Sequence, residues 1–160
     1  MISATFTGAI ISSFEDKLSA CASLISYIPM LMDTGGNAGG QASVTIIRGL
    51  SLKEIEFRDI LRVIWKEARV AVLCGITLAV ANFAKLLFLD RVGVSIAIVV
   101  CLTLLCAVFV AKMIGCIFPM VAKKIGFDPA VMASPFITTI VDALSLMVYF
   151  AIASRILTFA

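Results

Sequence analysis

One carboxylate stands alone in an apolar stretch. Asp142 is the only charged residue between Asp128 and Arg155. Putting an ionised carboxyl at the middle of a bilayer costs about 2.5–3.5 kcal/mol on insertion scales, so such a residue usually faces a bundle interior or an aqueous path. Two readings of Asp142 follow. Either it binds a cation, with Thr138 on the same helix face helping to hold water, or it is a protonated packing group bonded to Thr138 (i−4), Thr139 (i−3) or Ser145 (i+3). The second place with chemical capacity is Asp33-Thr34-Gly35-Gly36-Asn37-Ala38-Gly39-Gly40-Gln41. Its four glycines weaken a regular helix, which predicts a break. Open backbone at membrane depth needs buried partners or a wet cavity. Such a break supplies carbonyls, amides and the side chains of Asn37 and Gln41 where transporters build ion sites. The competing reading is a glycine contact between close helices. A phosphate-cradling loop is disfavoured, because GxxxxGK[ST] is absent and no strand precedes the glycines.

The available ligand types select the ion. Carboxylate, carbonyl and amide oxygens, without imidazole or thiolate, favour hard cations such as Mg2+, Ca2+ or Mn2+. One carboxylate per chain is few. A symmetric pair of chains would bring two copies of Asp142 toward one axis, where the two charges repel unless a proton or a divalent ion lies between them. Mg2+ gives up its water reluctantly, so few carboxylates around a hydrated ion form a sensible site.

The elements that hold these residues are membrane helices. Apolar residues make up 62% of the 160-residue chain and charged residues 14%, with a mean hydropathy of +1.14. A soluble domain of this size would expose too much apolar surface. The expected fold is all-α, a polytopic helical membrane protein with about five transmembrane helices and a broken second helix. The spans fall at 2–14, 18–48, 70–89, 92–122 and 129–154, with a tight turn at Glu15-Asp16-Lys17. Residues 50–69 form an amphipathic interfacial segment, since Ile55, Phe57, Ile60, Leu61, Ile64 and Trp65 recur at near-helical spacing among charges. Lys112, Gly115 and Pro119 interrupt the fourth span, and its length implies tilt or a kink.

Charge sets the expected orientation. Arg48 to Arg69 holds six Lys/Arg, and Lys123 and Lys124 follow the fourth span, so these connections belong in the cytoplasm. The N-terminus is then cytoplasmic and the C-terminus outside, in a cell membrane. The basic residues flank spans, so the net charge of +3 does not suggest nucleic acid. The start has no basic region or cleavage site of a signal peptide. Five cysteines without a CxxC pair, and no histidine at all, argue against a zinc site, a disulfide framework or a nucleophile–base pair. No enzyme is expected.

Two stretches resemble the MgtE family of Mg2+ channels and transporters. Pro29 to Gln41, followed by Arg48-Gly49-Leu50, is similar to that family's GGNAGxQ signature in its second membrane helix. Asp128-Pro129-Ala130 through Pro135-Phe136, Thr138-Thr139 and Asp142 is similar to the signature that opens its fifth. The two occur in order, about 90 residues apart, and the likeness runs from Gly8 onward. The resemblance implies a homodimer with a pore on its axis, lined by the second and fifth helices. It implies that Asp142 is the main Mg2+-binding residue and that Gly36 and Asn37 lie beside it. It puts Asp128 at the cytoplasmic mouth, as a helix cap or a gating-site ligand. Family members commonly carry a cytoplasmic region with CBS domains that senses Mg2+. No stretch here resembles it, and the first helix reads as clipped at Met1, so a separate or removed CBS-type regulatory domain is an expected partner beside Mg2+ and the lipid bilayer. Asp33 stands where many relatives have an uncharged residue. Ser134 stands where Gly or Asn is common, so no contact is carried over to it.

The expected function is a magnesium-selective channel moving Mg2+ into the cytoplasm. The alternatives are a secondary transporter exchanging a divalent cation against a counter-ion, and a non-transporting scaffold in which Asp142 only packs.

Overall fold

The computed structural model describes residues 2–13 and 22–157. The Glu15-Asp16-Lys17 turn, and with it the junction between the first two expected spans, lies outside the described residues. All regular structure among those described is helical: α1 (Ile2–Ser13), α2 (Ala22–Ile25), α3 (Ile28–Ser51), a 3-10 turn (Phe57–Asp59), α4 (Ile60–Phe88), α5 (Val94–Lys124) and α6 (Pro129–Ile156). By length and composition, three helical stretches among the described residues can cross a membrane, at Phe57–Phe88, Val94–Lys124 and Phe136–Ile156. The outer face of α4 shows why the chain belongs in lipid. Leu61 is 78% exposed, Trp65 67%, Leu73 68% and Val80 65%, an apolar stripe that water would not tolerate at this size.

The second helix departs from the expectation. The glycine run Gly35-Gly36 and Gly39-Gly40 does not break it, and α3 continues without interruption from Ile28 to Ser51. Each glycine costs about 1 kcal/mol of helix propensity, but the missing Cβ atoms let neighbouring backbones approach, which is how membrane helices associate. A Cβ on Gly39 would lie 3.1 Å from both the Ala111 carbonyl oxygen of α5 and the Ile137 Cγ2 of α6. One on Gly35 would meet Ser145 Oγ and Val141 Cγ1 of α6, each at 3.1 Å.

The real interruption comes earlier, at Ser26–Tyr27 between α2 and α3. Pro29 explains it. Proline has no N–H to bond the carbonyl four residues back, and its ring clashes with that carbonyl, so the chain restarts with Pro29 in the first turn of α3. The Leu24 carbonyl, left near the end of α2, accepts hydrogen bonds from Tyr27 N–H at 3.2 Å and from the buried Tyr149 hydroxyl of α6 at 2.9 Å.

Helix α5 is the hub, packed against α3, α4 and α6, while α3 also packs on α6. Leu31, Val99, Val100, Leu104, Leu146 and Tyr149 form the core at one end, and Ile46, Leu50, Val63, Cys116 and Met120 form it at the other. Residues 60–69, expected within a separate interfacial segment, are the first turns of α4. Glu67 lies inward there and pairs with Lys112 of α5 at 3.3 Å, their side chains 10% and 9% exposed. That ion pair joins residues 45 positions apart. Pro119 and Gly115 sit buried within a continuous α5.

Lys53 of one connection and Lys123 and Lys124 of another line a single cavity at one end of the bundle. Lys123 Nζ donates to the Leu50 carbonyl at the end of α3 at 2.6 Å, and Lys124 Nζ lies 4.0 Å from the Phe57 ring centre. The chain leaves α5 by a left-handed glycine, Gly126 at φ +84°. Gly126 N–H bonds Lys123 O and Phe127 N–H bonds Ala122 O, the paired closing bonds of a helix that ends on glycine. Three residues after Gly126, at Pro129, α6 begins.

Candidate functional site

The site is built on the paired faces of α3 and α6. Along α3, Leu31, Gly35, Gly39, Ala42, Ser43 and Ile46 are buried. Asp33, Asn37, Gln41 and Thr45 are exposed. A spacing of four keeps these polar residues on one side of the helix, because residues three and four apart are surface neighbours. Along α6, Ile137, Val141, Leu146 and Tyr149 are buried, while Thr138 is exposed and Asp142 half-buried.

Between the two faces is an open cavity of about 860 Å3, lined by the polar or bare positions Asp33, Gly36, Asn37, Gly40, Gln41, Thr45, Thr138 and Asp142 together with the apolar Met32 and Val44. Its two carboxylates come from different helices. The glycines divide the labour on α3. Gly35 and Gly39 point into the packed side, whereas a Cβ on Gly40 would meet nothing within 4 Å and one on Gly36 would meet only the Thr138 methyl, at 3.8 Å. The cavity wall at Gly36 and Gly40 is therefore bare helix surface. Ser145, a sequence-level candidate partner for Asp142, is 3% exposed and its hydroxyl lies against Gly35. Inside the cavity, Asn37 Nδ2 donates to Asp33 Oδ2 at 3.1 Å, and Thr45 Oγ1 donates to the Gln41 carbonyl at 2.9 Å.

Asp142, Asn37, Gly36 and Thr138, named from sequence, thus line one cavity. Asp128 stands apart. Its Oδ1 accepts a hydrogen bond from Ala130 N–H at 2.9 Å, making it the N-cap of α6, beside a smaller cavity shared with Ile47, Ser51 and Lys123. Fourteen residues of helix separate Asp128 from Asp142, roughly 21 Å along the axis. Thr45 lies beyond the Asp33–Gln41 stretch singled out in the sequence; the recurrence of polar residues every four positions from Asp33 through Thr45 is the signal that points to it. Among the described residues, no three His, Cys, Asp or Glu come together as a cation cage. A hard divalent ion at this wall would keep most of its water or draw ligands from a second chain.

The family model for MgtE, described as a divalent cation transporter, matches residues 28–152 and so takes in both helices of the cavity. This chain belongs to the MgtE family. Similar MgtE proteins, each named magnesium transporter MgtE, come from three bacteria. The chain is 34% identical to that of Thermus thermophilus over 157 residues, covering 94% of this chain and 33% of the relative. It is 35% identical to that of Bacillus subtilis over 148 residues, covering 92% and 33%. It is 33% identical to that of Enterococcus faecalis over 155 residues, covering 96% and 34%. The chain therefore spans about a third of the length of the curated MgtE relatives it matches.

Proposed function

We propose that this chain forms the membrane pore of a Mg2+ channel, working as a homodimer whose two-fold axis runs beside α3 and α6. The carrying observation is the cavity wall itself. A membrane protein exposes Asp33, Asn37, Gln41, Thr45, Thr138 and a half-buried Asp142 on one open face. Hydrocarbon cannot solvate these groups, so the face requires water, and a second copy of the same face would enclose it. Each copy would then contribute one Asp142 carboxylate to the path.

In this reading Asp142 attracts the cation and holds its water. Asn37, Thr138 and the bare backbone at Gly36 offer further oxygen atoms. A few charges around a hydrated ion suit Mg2+, which exchanges its inner water reluctantly and favours outer contacts. Two carboxylates near one axis destabilise each other until a divalent charge comes between them; that gives the empty pore its affinity. Asp128 caps α6 at the cytoplasmic mouth, where its second oxygen is placed to meet an ion entering or leaving. The names of the relatives support Mg2+ as the cargo. The gathering of Lys123, Lys124 and the end of α3 at one end supports a five-span topology with that end, and the N-terminus, in the cytoplasm, and with inward movement of Mg2+ down its electrical gradient.

The test is Mg2+ flux into proteoliposomes holding the 160-residue chain, under an imposed voltage and with no counter-ion gradient. Flux that follows voltage and does not saturate at low millimolar Mg2+ supports a channel. Flux that appears only with an opposing cation gradient would replace the channel with an exchanger using the same residues.

A further inference from the structure

We infer that Asp33 is a positioning residue of the ion path: it holds the Asn37 carboxamide so that its oxygen, not its nitrogen, is the end left for a cation. The inference rests on the proposal that this cavity carries Mg2+. Both residues line the cavity that contains Asp142, four positions apart on α3, with Asn37 Nδ2 donating to Asp33 Oδ2 at 3.1 Å.

The chemistry fixes the direction of that bond. An ionised carboxylate only accepts, whereas a carboxamide has one accepting end and one donating end. Asp33 can therefore engage only the Nδ2 end of Asn37. The plane of the amide then leaves Oδ1 as the unengaged atom. For a hydrated divalent ion this is the useful end, since its bound water molecules are donors and seek oxygen. With Asp33 absent, nothing in the pair prefers one amide orientation, and Nδ2 would present hydrogen atoms of positive character to an incoming cation. Gly36 and Gly40, on either side of Asn37, place no side chain over the amide; a Cβ at Gly40 would meet nothing within 4 Å. The orientation of Asn37 thus depends on Asp33.

A second carboxylate could instead act by charge alone, and the variants separate the two roles. Asp33→Asn removes the charge and, since a carboxamide donates as well as accepts, no longer fixes which end of Asn37 is engaged. Asp33→Ala removes the charge and the hydrogen bond, so the separating measurement is Asp33→Ala with and without the Asn37 side chain. The measurement is Mg2+ affinity of the purified chain in detergent, by titration calorimetry and by the Mg2+-dependent rise in thermal midpoint, with Ca2+ titrated in parallel. The expected result is that Asp33→Ala weakens Mg2+ binding about fivefold, the scale of one net hydrogen bond, and that Asp33→Asn weakens it as well. Asp33→Ala made on an Asn37→Ala background should have no further effect, because a residue that acts through another is silent once that other is gone. That non-additivity also guards against a mere loss of fold, which would depress every background alike. Parent-like affinity in Asp33→Ala overturns the inference, and so does an undiminished loss from Asp33→Ala on the Asn37→Ala background, which would assign the role to charge. Asp142→Asn runs beside these. If it binds Mg2+ as the parent does, the proposed ion path fails and takes this inference with it. If it loses binding while Asp33→Ala does not, only the role of Asp33 fails.

Discussion

The carbonyl oxygen of Gly39 on α3 occupies the space that a Cβ on Gly115 of α5 would fill. The two helices meet backbone to backbone there, and this contact sets how far α3, with its polar face, stands from the hub of the bundle. Gly115→Ala must push the helices apart or distort one of them. Overpacking of a tight interior costs about 1–3 kcal/mol. We expect a lower thermal midpoint in detergent and weaker Mg2+ transport, since the cavity wall moves with α3. Gly40→Ala is the contrast. Its added methyl meets open space, and alanine favours helix by about 1 kcal/mol over glycine. Thermal unfolding should find it as stable as the parent or more so; a loss as large as that of Gly115→Ala would remove the packing explanation.

The Glu67–Lys112 pair makes a separate prediction. Removing one partner of a buried ion pair strands the other charge and costs about 3–5 kcal/mol, while replacing both with apolar residues of similar size is often neutral. Lys112→Met or Glu67→Leu alone should therefore lower stability sharply, and the double variant should recover most of it. Thermal unfolding of the four proteins completes the cycle. Single variants as stable as the parent would mean that the pair does not hold α4 to α5.

Asp128 should behave as a cap. Loss of an N-cap side chain costs about 1 kcal/mol, so Asp128→Ala should lower the unfolding midpoint modestly and Asp128→Ser should restore it. Mg2+ affinity at the Asp142 cavity should not change in either variant, because the two sites lie far apart on α6. Calorimetric titration checks this, and a large loss of affinity would tie Asp128 to the same binding event.

The two halves of the cavity were legible in sequence for different reasons. Asp142 stood out because a charge in a long apolar segment has few places to go. The Asp33–Gln41 stretch stands out through its glycines, but the break they predict does not form, and the helix runs on from Ile28 to Ser51. Composition shows that glycine weakens a helix; it does not show that Ala111, Ile137 and Gly115 wait on neighbouring helices to use the missing Cβ atoms. The break that does exist was written in Pro29, whose lost N–H acts locally and needs no tertiary knowledge. Glu67 and Lys112 could not be paired from sequence, since 45 positions separate them; Glu67 alone reads as an interfacial charge and Lys112 as an interruption of the fourth span. The hydrogen bond from Tyr149 to Leu24 was hidden in the same way.

In the proposed pore, Asp142 holds Mg2+ in a water-filled path between two copies of this chain. Mg2+ uptake into proteoliposomes by the parent chain and by Asp142→Asn, each checked for equal oligomer size and thermal midpoint, is the decisive measurement. The parent should take up Mg2+ and the variant should fall by at least about tenfold, the effect of losing roughly 1.4 kcal/mol of ion stabilisation. Equal uptake by both proteins would contradict this role and remove Asp142 from the ion path.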